Sequence, residues 1–467
     1  MQLSHTFAST SVLFDESNLV ASAGLVPALA LAESAGLDEL ADAHLSVGGD
    51  KGANAGAKVA SLVAGMVAGA DSIDDMDLLR HGGMGRVFIG AYAPSTLGSF
   101  LRAFTFGHVR QIDAVASRFL IGLAEQTPVT AGVEECALVD VDDSIYEVHG
   151  YAKQGSGFGY SGVRGLNGAL ATLSTPRAAP VVLAQRLRRG AAGSARGAKR
   201  LVADALSTLR QLRDPHSTGL VLVRADSAFY GHATIGTALR AGADVSVTVR
   251  MDTKVRAAIG TIPEHAWTTI EYPQAIFDER SGQWISRAEV AETPFTAFGS
   301  KAKRHQVSGR LVVRRVPELN PKAKQGQPDL FRLWRHHAFF TTTDATVMDT
   351  VAADQTHRQH AIIEQVHADL KNSALAHLPS GKFAANAAWL VLAVMAFNLT
   401  RAVGTLADHG LAKATTATIR RKLINVPARI ASSARRLRLH LPDPWPWQKS
   451  WQDLFTRVAD PPTAAAT

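Results

Sequence analysis

Three acidic positions, far apart along the chain, have surroundings suited to metal-assisted chemistry. Asp140 and Asp142 alternate with Val139 and Val141, so on a strand both acids point to one face. Asp226 closes a second apolar run, Leu220-Val221-Leu222-Val223. Uncompensated carboxylates beside buried strands are costly, and a bound cation is a common remedy. The plainer alternative is that these acids cap strand ends and turns. Glu364 supplies the third position. At about 100° per residue, His357, His360, Glu364, His367 and Lys371 fall within one helical arc of roughly 80°. Three carboxylates can hold two Mg²⁺ ions (Mn²⁺ as a substitute) about 4 Å apart, with waters and phosphate oxygens completing the octahedra. Glu364-x-x-His367 also reads as half of a di-iron site in a helical bundle, but no second such pair lies on a convincing helix.

The elements around these residues follow a recognisable order. Strands are expected at 136–142, 166–173, 180–187, 219–226 and 244–250, with helices at 195–212 and 230–241 between the later ones. Three strands, helix, strand, helix, strand is the order of an RNase H-like core, in which the first and fourth strands are neighbours. The fold class expected is therefore α/β, a mixed sheet flanked by helices. Residues 131–250 form the first part of that core, and 346–400 return to it with a helix from about Thr356 to Ala374. Between them, 251–345 reads as a strand-rich insertion containing Trp267, Trp284 and Trp334. Residues 1–130 read as short helices, either a helix-turn-helix DNA reader or a packing module. Residues 401–467 form a basic tail.

Composition narrows the class. The chain has 467 residues, 19% charged and 46% hydrophobic, which is ordinary for a globular protein of several domains. A single cysteine, Cys136, excludes a disulfide framework and a multi-cysteine zinc site, and it fits a reducing cytoplasm. No secretory signal is visible, and the apolar run Phe383–Leu399 contains Asn386 and Asn398, so a buried helix is expected there and no membrane partner. The net charge of +8 is uneven: the first 80 residues are acidic and 401–440 strongly basic, which favours a polyanionic partner. Arg186, Arg188 and Arg189 form one basic cluster with Arg196, Lys199 and Arg200; Arg420, Arg421 and Lys422 form another. Both suit contacts to DNA phosphates.

With these residues in place, the sequence resembles bacterial insertion-sequence DDE transposases that carry a strand-rich insertion, most closely the insertion-sequence 1380 family. Four stretches carry the likeness: Asp140-Val141-Asp142-Asp143-Ser144, Arg224-Ala225-Asp226-Ser227, the helix with Glu364 and Lys371, and the tail from Arg420-Arg421-Lys422 through Val426-Pro427 to Trp445-Pro446-Trp447. The Ser two residues after Asp142 selects Asp142 over Asp140 as ligand. Related enzymes show Tyr-x₂-Arg-x₃-Glu-x₆-Lys on that helix, where this chain has His357 and His360 at the Tyr and Arg positions. Both histidines can donate to phosphate, more weakly and with pH dependence. The resemblance implies Mg²⁺-dependent cut-and-paste transposition by a DNA-bound homodimer in the cytoplasm. Asp142, Asp226 and Glu364 would be catalytic metal ligands, and Lys371, His357 and His360 would contact DNA. It also implies that the insertion handles a displaced base, which Trp267, Trp284 or Trp334 can stack. Two alternatives remain: a nuclease or resolvase on the same core, without strand transfer, and an inactive transposase-derived DNA-binding protein.

Overall fold

The structure is a computed structural model describing residues 1–149, 152–279, 283–317, 334–433 and 435–460. Its centre is β2 (Cys136–Glu147), a strand buried on both faces through its first half, as the unbroken apolar run beginning at Ala137 requires. It follows a two-residue strand, β1 (Leu19–Val20). β2 pairs antiparallel with β4 (Arg164–Ser174), which also pairs with the short β3 (Gly157–Phe158) and with β5 (Val181–Arg189). On its other side β2 runs parallel to β6 (Leu220–Ala225), and β6 parallel to β7 (Asp244–Thr248). The order β5-β4-β2-β6-β7 is the RNase H-like arrangement expected from the sequence.

The strand-rich segment continues this sheet. β8 (Thr268–Asp278), β9 (Gln283–Ala297), β10 (Val307–Pro317) and β11 (Trp334–Thr341) are joined antiparallel, and β11 pairs with β7, giving one sheet of ten strands. Within it Arg315 lies between the rings of Trp267 and Trp334, at 4.2 and 4.4 Å from their centroids. Those two tryptophans are thereby committed to packing. Trp284 is exposed, with its edge toward Phe277.

The helices before the sheet are α1 (Leu25–Ser34), α2 (Leu37–His44), α3 (Ala55–Ala68), α4 (Met84–Val87), α5 (Pro94–Arg102) and α6 (Phe106–Gln126). α3 is buried almost all round, which removes it as an exposed recognition helix. Within the core, α7 (Ala198–Leu212) and α8 (His232–Arg240) bridge the later strands, and α9 (Thr253–Gly260) leads into the added ones. The expected helix 356–374 starts earlier and is broken: α10 (Thr350–Arg358), a 3₁₀ turn (Gln359–Ala361), then α11 (Ile362–Lys371). At the break, Arg224 donates to the Thr356 carbonyl, the acceptor that an unbroken helix offers to the His360 N–H.

The apolar run becomes α12 (Phe383–Ala407), long and apolar enough to cross a membrane yet almost wholly buried in the fold. Asn398 explains its polar interruption. Its amide accepts from the Val182 N–H and donates to the Val182 carbonyl, both at 2.9 Å, and so covers part of the edge of β5. The tail follows as α13 (His409–Ala412), α14 (Thr416–Ile419), β12 (Ala428–Ser433), β13 (Arg436–His440) and α15 (Gln448–Ala459). β12 pairs with β1, and one apolar core runs from Val20 to Leu454 through the N-terminal helices, the sheet and the tail.

Candidate active site

Strand register brings the first two acids level. Asp140 pairs with Arg224 and Val141 with Ala225, so Asp142 stands beside Asp226, the residue just past the end of β6. Asp226 caps the 3₁₀ turn Ser227–Phe229, accepting from the Ala228 N–H at 3.0 Å.

The acids of β2 differ sharply in their partners. Asp140 is fully buried and receives two bonds of 2.7 Å from Arg224, itself fully buried, plus His360 Nδ1 at 3.0 Å. Asp143, on the opposite face, is paired with Arg188 and Asn167. Asp142 has no cation of this kind. Burial, aggravated by the charges of Asp143 and Asp226 and only partly offset by His360, pushes its carboxyl up to about 6. Burial likewise raises Asp226, with Asp143 adding to the effect and His360 opposing it. Of the three acids at 140–143, Asp140 and Asp143 are thus neutralised by arginines, and Asp142, beside Asp226, is not.

The helix after the break faces the same side of β2. His360 meets Asp140, His367 Nδ1 lies 3.2 Å from the Tyr146 hydroxyl, and Lys371 Nζ donates to Ser144 Oγ at 2.6 Å. Burial depresses the Lys371 ammonium, and Asp142 opposes that shift. Burial also drives His367 down to about 3, with Lys371 contributing, so its imidazole is neutral. Asp140, Ser144 and Tyr146 each have a helix partner. Glu364, in the first turn of α11 and exposed, makes no hydrogen bond or ion pair among the described residues. Among the described residues no three His, Cys, Asp or Glu side chains stand close enough together to hold a metal ion. The donor chemistry nevertheless suits a hard divalent cation: Asp142 and Asp226 offer carboxylate oxygens whose mutual repulsion such an ion would relieve.

The DNA-contact candidates separate into inward and outward groups. His357 is drawn into the sheet, with Nδ1 at 2.8 Å from Ser246 Oγ, Nε2 at 3.0 Å from Thr248 Oγ1, and its ring stacked on Phe339. Burial holds it down to about 3, so it is a neutral packing group with both nitrogens occupied. Arg186 pairs with Asp113 and Asp204, and Arg188 with Asp143. Arg420 donates to the Val67 carbonyl at the end of α3. Lys422 lies 4.9 Å over the Trp447 ring, while Arg189 and Arg421 are exposed.

Sequence reasoning gave no role to Arg224, although its place opposite Asp140 in the parallel register is the signal. It also passed over the β9–β10 turn, where Lys301, Lys303 and Arg304 are three cations in four residues, followed by His305. That turn packs beside the segment following Asp226, through Tyr230 stacked on Phe298 and His232 against His305.

A family model described as the transposase DDE domain, group 1, matches residues 8–463. No curated protein matches the chain.

Proposed function

The chain belongs to the group 1 family of DDE transposase domains, and from that membership we propose that it moves an insertion sequence by cut-and-paste transposition, in the manner of the insertion-sequence 1380 family. Asp142, Asp226 and Glu364 are the proposed ligands of two Mg²⁺ ions. When bound, such ions supply Lewis-acid activation of a water or 3′-hydroxyl and offset charge on the leaving oxygen. The chain's own part is positional. β2 and β6 fix the two aspartates level with each other, while His360 in the 3₁₀ turn and His367 and Lys371 in α11 hold the segment that carries Glu364 against β2. Lys371, half buried over Tyr146 at 5.6 Å, is placed for a phosphate near the scissile bond. His360 is the histidine of the helix left near the acids. Arg421 and the Lys301–His305 turn are the proposed contacts to flanking duplex, and Trp284 is the tryptophan still free to stack a base. Double-stranded DNA with terminal inverted repeats, a homodimer on that DNA and a cytoplasmic setting complete the reading.

The observation that carries it is the Asp142–Asp226 pair, level on neighbouring strands and without an arginine partner. The test is a product assay on linear DNA bearing the inverted repeats that flank the gene, with Mg²⁺. Cut ends and joined products are expected from the parent, and neither from Asp142→Ala, Asp226→Ala or Glu364→Ala, each of which should still bind DNA. Cutting by Glu364→Ala overturns the assignment. Cutting without joining favours a nuclease or resolvase, and a parent inert with Mg²⁺ favours a DNA-binding derivative.

A further inference from the structure

A cavity of about 850 Å³ opens on the side of the sheet away from Asp142, against the edge strand β5. Phe106, the first residue of α6, sits at its rim with its ring 77% exposed. Phe383, the first residue of α12, lines it more deeply; its ring lies over Gly155, where a Cβ would come within 2.8 Å of it. Arg189, Arg196 and Arg200 line the same space, and among the described residues no acidic one does. Arg186 and Arg188 reach it too, but their charges are taken by Asp113, Asp204 and Asp143. Of the other three, Arg200 is shared with Asp204 at 2.9 Å, while the side chains of Arg189 and Arg196 make no hydrogen bond or ion pair among the described residues.

We propose that this groove binds unpaired DNA, with phosphates on Arg189 and Arg196 and a base against Phe106 and Phe383. A duplex presents only its phosphates to a flat basic surface and gains nothing from recessed phenyl rings. A single strand offers the faces of its bases, and aromatic rings among guanidiniums are the surface that holds them without regard to sequence. Phe106 belongs to none of the apolar clusters among the described residues, so its ring is open to a ligand in the groove. The inference rests on the transposase reading only for the choice of DNA as the polyanion.

The test uses the full-length protein in EDTA, so that no cutting intervenes, and a short oligonucleotide carrying 2-aminopurine, single-stranded or annealed. Tighter binding of the single strand, with quenching of the fluorescent base, is expected. Phe106→Ala should remove the quenching and weaken the single strand about five-fold or more, as loss of one stacked base does. Arg189→Ala with Arg196→Ala should flatten the salt dependence, lowering the log–log slope by about 1.4 for two phosphate contacts on a single strand. Both sites are at the surface, so thermal melts of these variants should match the parent. Unchanged affinity and slope in the double variant overturn the proposal, as does quenching that survives Phe106→Ala, or a duplex that outcompetes the single strand for the groove. A parent that quenches the single strand yet cuts nothing in a separate assay with Mg²⁺ would count against the metal-site reading and leave the groove standing.

Discussion

Replacing Asp140 and Asp142 separately by Asn should have opposite effects on stability. Asp140→Asn leaves the Arg224 guanidinium, 1% exposed, without its counter-charge. Breaking a buried pair from one side costs about 3–5 kcal/mol. Asn keeps one acceptor, so the lower figure applies. Asp142 is the reverse case. Its carboxyl is raised from 3.8 to about 6, so near neutral pH the folded state carries a charge it disfavours. Two units correspond to about 3 kcal/mol, and partial exposure reduces this to about 1–2 kcal/mol. The sign follows: the penalty is complete above the folded value and vanishes as pH falls below the unfolded one, so Asp142→Asn should stabilise the metal-free protein near pH 7. With an unfolding entropy of about 2 cal/mol/K per residue, 1 kcal/mol moves the midpoint of a chain this long by about 1 °C. Differential scanning fluorimetry should thus place Asp140→Asn about 3 °C below the parent and Asp142→Asn about 1–2 °C above it. Titrated Mg²⁺ should raise the midpoint of the parent and of Asp140→Asn, but not of Asp142→Asn. The reasoning is refuted if Asp142→Asn is the destabilised protein, or if a folded Asp140→Asn is the one that stops responding to Mg²⁺.

Other consequences can be measured alongside. His357 and His367 are held neutral down to about 3. The stability they contribute is therefore complete above about pH 6.5 and falls as the pH drops toward 3, by about 1.4 kcal/mol per unit for a fully buried histidine. Urea titrations at pH 7 and pH 5 should show His357→Asn losing less stability than the parent over that interval, and an equal loss would count against its burial. Lys371→Met should melt within about 1 kcal/mol of the parent, since Met still packs on Tyr146 and the Ser144 bond is the one hydrogen bond lost, yet show markedly slower strand cutting; unimpaired cutting would remove its phosphate role. Asn398→Leu strands the N–H and C=O of Val182 in the interior, and a loss of about 2–4 kcal/mol in urea unfolding is expected, against near-neutrality if the edge of β5 were wet.

The core was legible because its signals are local. Alternation around Asp140 and Asp142, the apolar run before Asp226 and the crossover helices each follow from the side-chain periods of strand and helix, and the structure places strands and helices there with ends shifted by a few residues. Three features lay beyond that reach. That the strand-rich segment extends the core sheet was not visible, because nothing in β11 announces that it will pair with β7. The helix carrying Glu364 looked continuous because its break is made by Arg224, a residue over 130 positions away, taking the Thr356 carbonyl. The basic clusters looked solvent-facing because composition counts charges and not their partners. Arg186, Arg188 and Arg420 are spent on Asp113, Asp143 and the end of α3. His357 shows the helix break most directly: on a straight helix it shares a face with Glu364, whereas here its ring lies in the sheet against Phe339.

The same bookkeeping of charge gives the candidate site its specificity. Residues 140–143 carry three carboxylates on a central strand, an arrangement no isolated sheet tolerates. Arg224 reaches Asp140 from the neighbouring strand β6, and Arg188 reaches Asp143 from β5 across the other face. Each of these arginines is also bonded elsewhere, Arg224 to the helix break and Arg188 to the loop before α7. Neutralising two acids therefore fixes the position of α10 and α11 on one side and of the groove wall on the other. Asp142 is the acid left over, and the strand end that carries Asp226 is what lies beside it. That leftover pair of acids is why the proposed oxygen site for a divalent cation is put here and not at Asp140 or Asp143. A purely structural strand would have carried an apolar or amide side chain at 142.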